Sequence, residues 1–519
     1  MFLFYLIVIV TNVLRFILRP LFNYIHSNEP LRVPPIAHPL LKVTATTLAR
    51  RIRQGQLSSQ TVVEVYIQRI KEVNPILNAV VEERFEAAIN DAKICDENLK
   101  TGNVIPAILE REKPLYGVPV SIKESCALEG LSYTSGSLAR KGVKASKDGS
   151  AVELLKNAGA IPLCVTNTPE QCSGYHSANF LHGTTRNPYD TRKSAGGSSG
   201  GEGALIGAGA SILGLGSDLL GSIRVPSLFN GIFGHKPTPG IIPNRGHIPD
   251  FKNTSLEYMF AYGPMARYTE DLYLAMRVLS SECETPLRLK EHVDLKTLRV
   301  FYANNIDSYC CFGSTTPDIK QAIKKATCYL SQNGAQVEQL SQEWIRDSIL
   351  YVLFTFLADD VPQVLLDPKQ PDKKTRASLE NLKAMFGLSN FTLQPISFQL
   401  LVDNRGFCTP AEKDNIKLLT DNMRQKINKL LGNDGVFIFP TYPQATAVPE
   451  LIFLQSFFNK YCTFCNALQL PSTHVPMGLN NDGLPIGFQV IAASYQDRLC
   501  LAVARELEKA FGGWIPPTS

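Results

Sequence analysis

The spacing of apolar positions changes several times along this chain, and each change marks an element. Met1 to Val10 is continuously apolar, and the character persists to Leu18 with Asn12 and Arg15 interrupting it. A bilayer span needs about 20 mostly apolar residues, so residues 1–28 read as a membrane anchor of minimal length. The segment lacks a basic start and a small-residue cleavage site, which argues against a cleaved secretory signal. Arg15 and Arg19 on its C-terminal side favour a cytosolic body, and a helix lying in the interface is the alternative. After the proline-bearing stretch 30–39, Val62, Val65, Tyr66, Ile70 and Val73 fall at helical spacing. They predict a helix from Ser59 towards Val73, capped by Ser58 or Ser59 and stopped at Asn74-Pro75. Apolar runs at 115–122, 161–165, 298–302, 436–439 and 485–490 predict strands, and helical patterns at 150–157, 317–330 and 497–511 lie between them. Interleaving of this kind predicts an α/β class with a covered sheet.

Between Lys123 and Ser222 the pattern gives way to small residues, and here the chemistry concentrates. The segment Gly117-Val118-Pro119-Val120-Ser121-Ile122-Lys123 is followed by Ser194-Ala195-Gly196-Gly197-Ser198-Ser199-Gly200-Gly201-Glu202-Gly203 and then by Gly216-Ser217-Asp218-Leu219-Leu220-Gly221-Ser222-Ile223-Arg224-Val225-Pro226. A serine hydroxyl must pass its proton to a base as it attacks a carbonyl. Lysine can be that base only when neutral, a state that burial promotes by disfavouring the ammonium form. Lys123 closes an apolar run, so it is placed for burial. The glycines let backbone approach backbone, which allows Ser198 to bridge Lys123 and Ser222. Small residues around Ser222 leave amide groups able to face an oxyanion, and losing one such donor typically costs about a hundredfold or more in rate.

These three segments closely resemble the amidase signature family. Further matching wording is found in Asn157-Ala158-Gly159-Ala160-Ile161, Thr166-Asn167-Thr168-Pro169-Glu170, Asn230-Gly231-Ile232-Phe233-Gly234-His235-Lys236-Pro237 and Leu484-Pro485-Ile486-Gly487-Phe488-Gln489, so the resemblance covers about residues 40–515. It implies one large domain over 40–515, a mixed β-sheet surrounded by α-helices. It also implies a triad of Lys123 as base, Ser198 as relay through a cis peptide bond, and Ser222 as the nucleophile that forms an acyl-enzyme. The implied oxyanion donors are the backbone amides of Leu219, Leu220, Gly221 and Ser222, while Asp218 and Arg224 match structural positions. No cofactor and no metal is implied. Within the family, this wording and the apolar N-terminus are most similar to fatty-acid amide hydrolases, which gives a lipid amide as substrate and a membrane as partner, with a homodimer left open. The apolar stretch 350–401 has two readings, the wall of an acyl channel or a core-packing segment. One departure stands beside the nucleophile: the family has Gly-Gly-Ser where this chain has Leu220-Gly221-Ser222. A positive φ at that leucine costs about 1 to 2 kcal/mol of strain. Without it, the side chain simply reshapes the wall.

Rival readings of the same residues are four. Gly196-Gly197-Ser198-Ser199-Gly200 fits the nucleophile elbow of α/β-hydrolases, with His235, His247, His292 or His474 as base, but that elbow needs an apolar strand before it and the preceding 187–193 is a polar turn by composition. An amidotransferase subunit that releases ammonia from glutamine uses the same fold, and a lipid-binding pseudoenzyme keeps the pocket without turnover. A phosphate loop is disfavoured because no Gly-Lys-Ser/Thr closes the glycine run. The net charge of +5 over 519 residues gathers into no basic stripe, so no nucleic acid is expected as partner. The 12 cysteines are scattered, and Cys462 and Cys465 form the only Cys-x-x-Cys, so buried free thiols are expected in place of a metal site.

Overall fold

In the computed structural model, residues 24–252, 254–305, 314–341, 363–369, 375–403, 409–456 and 460–517 are described, with six further positions between 14 and 22. Among the described residues eleven strands form one mixed sheet. Their order across it is Val80–Glu83, Ile161–Thr166, Pro119–Lys123, Leu213–Asp218, Ala261–Ala266, Phe233–Lys236, Ser472–Leu479, Pro485–Ala492, Gly435–Phe439, Arg299–Tyr302 and Gln336–Gln339. The strand Pro119–Lys123 runs parallel to both of its neighbours, with Lys123 opposite Thr166 and Ile122 opposite Leu215. Every residue of these three adjacent strands is buried, as expected for parallel strands covered on both faces. The amphipathic helix Asp497–Phe511 packs on Ser472–Leu479 and Pro485–Ala492, and Thr269–Leu279 packs on Ala261–Ala266. The expected single α/β domain with a mixed sheet and surrounding helices is therefore what the chain forms.

Two predicted elements differ from the observed ones, and two observed strands were not predicted. The helix from Ser59 runs through Pro75 to Leu77, and Ser58 is its cap, with the hydroxyl accepting from the Thr61 amide at 3.3 Å. Pro75 lies in the last turn, where its missing N–H forfeits only one bond; the stop comes at Asn78, which adopts left-handed geometry (φ 52°) and donates its amide to Asn74 O at 2.8 Å. The strand expected over 115–122 begins only at Pro119, because 115–118 closes a turn in which the Val118 amide donates to Leu115 O. The strand Leu213–Asp218 was not legible, since its Leu-Gly-Leu-Gly-Ser-Asp wording has glycine where a strand ordinarily carries β-branched side chains. Ser472–Leu479, with Pro476 inside it, escaped for a similar reason. As to the anchor, no helix among the described residues is long and apolar enough to cross a membrane. Residues 1–13 of the expected segment lie outside those described.

Candidate active site

Lys123 ends its strand at the carboxyl edge of the parallel part of the sheet, and Ser217 and Asp218 end the neighbouring strand beside it. Open α/β sheets place their ligands at that edge. The Lys123 side chain is fully buried, and its Nζ lies 2.7 Å from Ser198 Oγ and 2.9 Å from Ser217 Oγ. Among the described residues no carboxylate pairs with it. One residue layer away, the Glu202 carboxyl accepts from Ser121 Oγ at 2.5 Å and from Thr166 Oγ1 at 2.7 Å. Burial pushes its pKa up to about 7, against the lowering effect of those two hydroxyls and of Lys123.

Ser198 reaches Lys123 from a tight segment, and the peptide joining Gly197 to Ser198 is cis, as the resemblance implies. A side chain at Gly197 would meet the Gly174 carbonyl at 2.5 Å, so only glycine allows the loop 174–176 to close over this segment. The Ser199 amide donates to the Ser222 carbonyl at 3.1 Å, which clasps the Ser198 and Ser222 segments together. Ser222 is 8 % exposed, and the residues beyond it form the short helix Arg224–Phe229.

The loop before Ser222 is shaped by the buried Asp218. Its Oδ1 accepts from the Gly221 amide at 2.8 Å and its Oδ2 from the Ile223 amide at 3.1 Å. Arg224 Nε and Nη2 reach the same carboxylate at 3.0 and 2.9 Å, with neither side chain exposed. Burial alone would raise the Asp218 pKa, but the Arg224 charge and hydrogen bonds outweigh it and hold the carboxyl well below the usual range. Of the four expected oxyanion donors, Gly221 thus already has an acceptor, while no hydrogen bond within the described residues takes up the amides of Leu219, Leu220 and Ser222. The positive φ of this loop falls on Gly221 (119°) and not on Leu220, so the leucine is unstrained. Its side chain packs against a small apolar cluster that includes Tyr175, Val225, Phe229, Tyr442 and Ile452.

Sequence reasoning passed over two neighbours of the lysine. Ser217 lay in a quoted motif without a role, and His247 was named only as a triad base for the elbow reading. The structure joins them: Ser217 Oγ lies 2.9 Å from His247 Nε2. Neither Ser198 nor Ser222 has a hydrogen bond to this ring. His235 lies between Thr473 and Asp497, the Nδ1 of His474 meets Thr441, and His292 is exposed. The glycine-rich segment also lacks the strand an elbow requires, since Ser198 follows a loop whose strand-like pairing is one isolated bridge from Ser194 to Arg186. Cys462 and Cys465 are buried in the helix Lys460–Ala467, where their thiols face Thr441 O at 3.2 Å and Gln489 Oε1 at 3.4 Å.

Behind the loop 174–176 opens a cavity of about 350 Å³ lined by His176, Phe180, Ala384, Phe391, Leu393 and Pro449 among others. The 384–394 portion of the apolar stretch 350–401 supplies much of its wall, with 350–362 and 370–374 outside the described residues. Gln394 connects cavity and loop, donating to the His176 carbonyl at 2.9 Å and accepting from its amide at 3.2 Å.

At the carboxyl edge of the mixed sheet a buried lysine is met by Ser198, in a segment clasped to Ser222, an arrangement of the amidase class. The chain belongs to the Amidase family, whose model matches residues 61–501. It is 38% identical over 497 residues to fatty-acid amide hydrolase 2-B of Danio rerio, covering 95% of this chain and 94% of that one. It is 36% identical over 494 residues to human fatty-acid amide hydrolase 2, covering 93% and 92%. A solved structure of a fatty acid amide hydrolase shares the fold with a TM-score of 0.73 at 21% identity, over 92% of this chain and 87% of that one.

Two stability predictions come from this geometry. Folded Glu202 keeps its proton to about pH 7 while the unfolded carboxyl loses it near its ordinary 4.5, so its contribution is complete below the lower value and disappears as pH rises through the higher. The thermal midpoint of the wild type should fall as pH is raised across that window, and Glu202→Gln should flatten the fall, as scanning calorimetry at several pH values will show. Asp218→Ala strands the Arg224 charge in a dry interior and should cost about 3–5 kcal/mol in urea unfolding.

Proposed function

We propose that this amidase cleaves fatty-acid amides by a Ser-Ser-Lys relay with Ser222 as nucleophile. The observation that carries the reading is the 2.7 Å contact between Lys123 Nζ and Ser198 Oγ, in a segment clasped to Ser222 by the Ser199 amide. As Ser222 Oγ attacks the amide carbon, its proton passes to Ser198 Oγ, whose own proton passes to neutral Lys123. The tetrahedral oxyanion is met by the amides of Leu219, Leu220 and Ser222, with the Gly221 hydrogen shared with Asp218. Collapse breaks the C–N bond, and the amine leaves with the proton returned through Ser198. Water then enters by the same relay and frees the acid from Ser222.

The substrate class is supported by the relatives named fatty-acid amide hydrolase and by the apolar cavity beyond the loop 174–176. A long chain buried there contributes roughly 0.8 kcal/mol per methylene, which serves to position the carbonyl. Membrane association belongs to the same reading. The helix Ala377–Met385 and the turn after it expose Leu382 (53 %), Met385 (75 %), Phe386 (70 %) and Leu388 (72 %) beside the cavity residues Ala384 and Gly387. Apolar side chains of that size gathered at a cavity mouth suit a lipid surface, and the apolar segment 1–28 adds a second attachment.

A fluorophosphonate should modify Ser222 and no other serine, as peptide mapping by mass spectrometry will show. Lys123→Ala should slow the labelling by about 10²–10⁴-fold, the usual worth of a general base. His235→Asn and His474→Asn should leave the label on Ser222, whereas a label on Ser198 would restore the elbow reading. Catalytic efficiency should climb from acetamide to oleamide, measured below their aggregation limits. A flat series, or glutamine as best substrate, would favour an amidotransferase-like role.

A further inference from the structure

We propose that His247 is a positioning residue that turns the lone pair of Lys123 towards Ser198, acting through Ser217. The proposal rests on the Lys123–Ser198–Ser222 relay and adds to it a residue two hydrogen bonds away from the base.

A neutral amine has two N–H groups and one lone pair, and Lys123 has two hydroxyl neighbours within hydrogen-bond distance, Ser198 at 2.7 Å and Ser217 at 2.9 Å. To take a proton from Ser198, the lone pair must face Ser198, so an N–H must face Ser217. A serine hydroxyl both donates and accepts. Left to itself, Ser217 would compete with Ser198 by donating its own hydrogen to the lone pair. His247 removes that competition. Its Nδ1 lies 2.9 Å from the carbonyl oxygen of Pro249, a pure acceptor, so Nδ1 carries the ring hydrogen. In the neutral ring Nε2 is then an acceptor, and it stands 2.9 Å from Ser217 Oγ. The single hydrogen of Ser217 goes to His247, which leaves the serine oxygen as acceptor for Lys123.

The ring is held in this orientation from every side. It stacks on Phe251 at 5.8 Å, packs against Phe260 at 4.5 Å and meets the edge of Tyr262 at 5.7 Å, and it is 6 % exposed. Its backbone is tied to the residues that follow Lys123: the Ile248 amide donates to Ser125 O at 3.0 Å, the Ala127 amide to Gly246 O at 2.9 Å, and the Cys126 amide to Lys123 O at 2.8 Å. Ser125 Oγ is a second, longer neighbour of Nε2 at 3.2 Å, and the Cys172 thiol is also near the ring. These two are the competitors that could take the Nε2 position from Ser217.

Three measurements on the full chain decide the matter. With ¹⁵N-labelled histidine, the resonance that shifts in Ser217→Ala should show a wild-type ring protonated on Nδ1 and bare on Nε2. A ring protonated on Nε2, as donation to Cys172 would require, overturns the proposal. His247→Phe preserves the ring among Phe251, Phe260 and Tyr262 but removes the acceptor. It should lower kcat for oleamide by about tenfold, a fraction of the usual worth of a base, with KM within about twofold. Ser217→Ala should do the same and Ser217→Thr should restore the rate. In the double variant the two losses should not add, because both break one chain of bonds. A loss for His247→Phe that is equally large without the Ser217 hydroxyl, or no loss in a folded variant, overturns it. If His247→Phe fails to fold, the tautomer and the Ser217 pair carry the decision. Wild-type protein that is not phosphonylated at Ser222 overturns the hydrolase reading and this proposal with it, whereas normal labelling with the wrong tautomer overturns this proposal alone.

Discussion

The buried pair of Asp218 and Arg224 is the constraint on which the rest of the site depends. Two charges without water are tolerated only where every polar atom around them is satisfied. Here the carboxylate takes two backbone amides and Asn466 Nδ2 besides the guanidinium, and Arg224 reaches Gln489 Oε1, Asn466 Oδ1 and the Cys462 carbonyl. These partners come from strands and helices more than two hundred residues apart in sequence. The loop that presents Ser222 is therefore held by the C-terminal half of the domain, through fully buried side chains. Gln489 lies in the closing strand and binds the Pro440 and Tyr461 carbonyls with its amide, so the same network also positions the wall that includes Tyr442.

Around that pair the carboxyl edge of the sheet does two things at once. Parallel strands end in line, so Lys123 and Ser217 arrive side by side without any local signal between them in sequence. Glycine-rich segments then fill the space above, because only they can approach a strand edge closely enough to bring Ser198 to the lysine. The surroundings of the lysine are rich in hydroxyls, and Ser198 and Ser217 are its partners in place of carboxylates. Burial raises the pKa of Glu202, one layer down, to about 7, against the opposing pull of two hydroxyls and of Lys123.

How much of this was legible in the sequence depended on whether the signal was local. The helices at 150–157 and 317–332 and the helix from 497 were readable because a 3.6-residue apolar period needs no knowledge of neighbours. The strand Leu213–Asp218 was not, since its alternate glycines serve the close approach of Glu202 and Ser199, a property of the assembled sheet. Lys123, Ser198 and Ser222 could be named because their wording resembles a family, although composition alone would have left them a serine-rich loop. Their union is tertiary. The Leu220 question was settled by which residue carries the positive φ, and the neighbouring Gly221 takes it. His247 was visible as one of eight histidines and carried no mark of its link to the lysine, because that link runs through Ser217, 30 residues before it in sequence.

Leu220 has a further consequence for how Ser222 is held. Where a glycine pair would leave the loop with little side-chain packing, the leucine side chain joins Tyr175, Val225, Phe229, Tyr442 and Ile452, and its carbonyl accepts from the Tyr175 hydroxyl. Tyr175 belongs to the loop 174–176 that closes over Gly197 and whose next residue, His176, is held by Gln394 at the cavity. The Leu220 carbonyl and Tyr175 link the amides beside Ser222 to the loop that closes over the Ser198 segment, and the leucine side chain adds apolar contact to that link. The backbone can adopt this loop without strain, and the added apolar burial favours a single arrangement of it. His176, next to Tyr175, lines the cavity, so the loop 174–176 is the one element that touches both the cavity and the loop before Ser222.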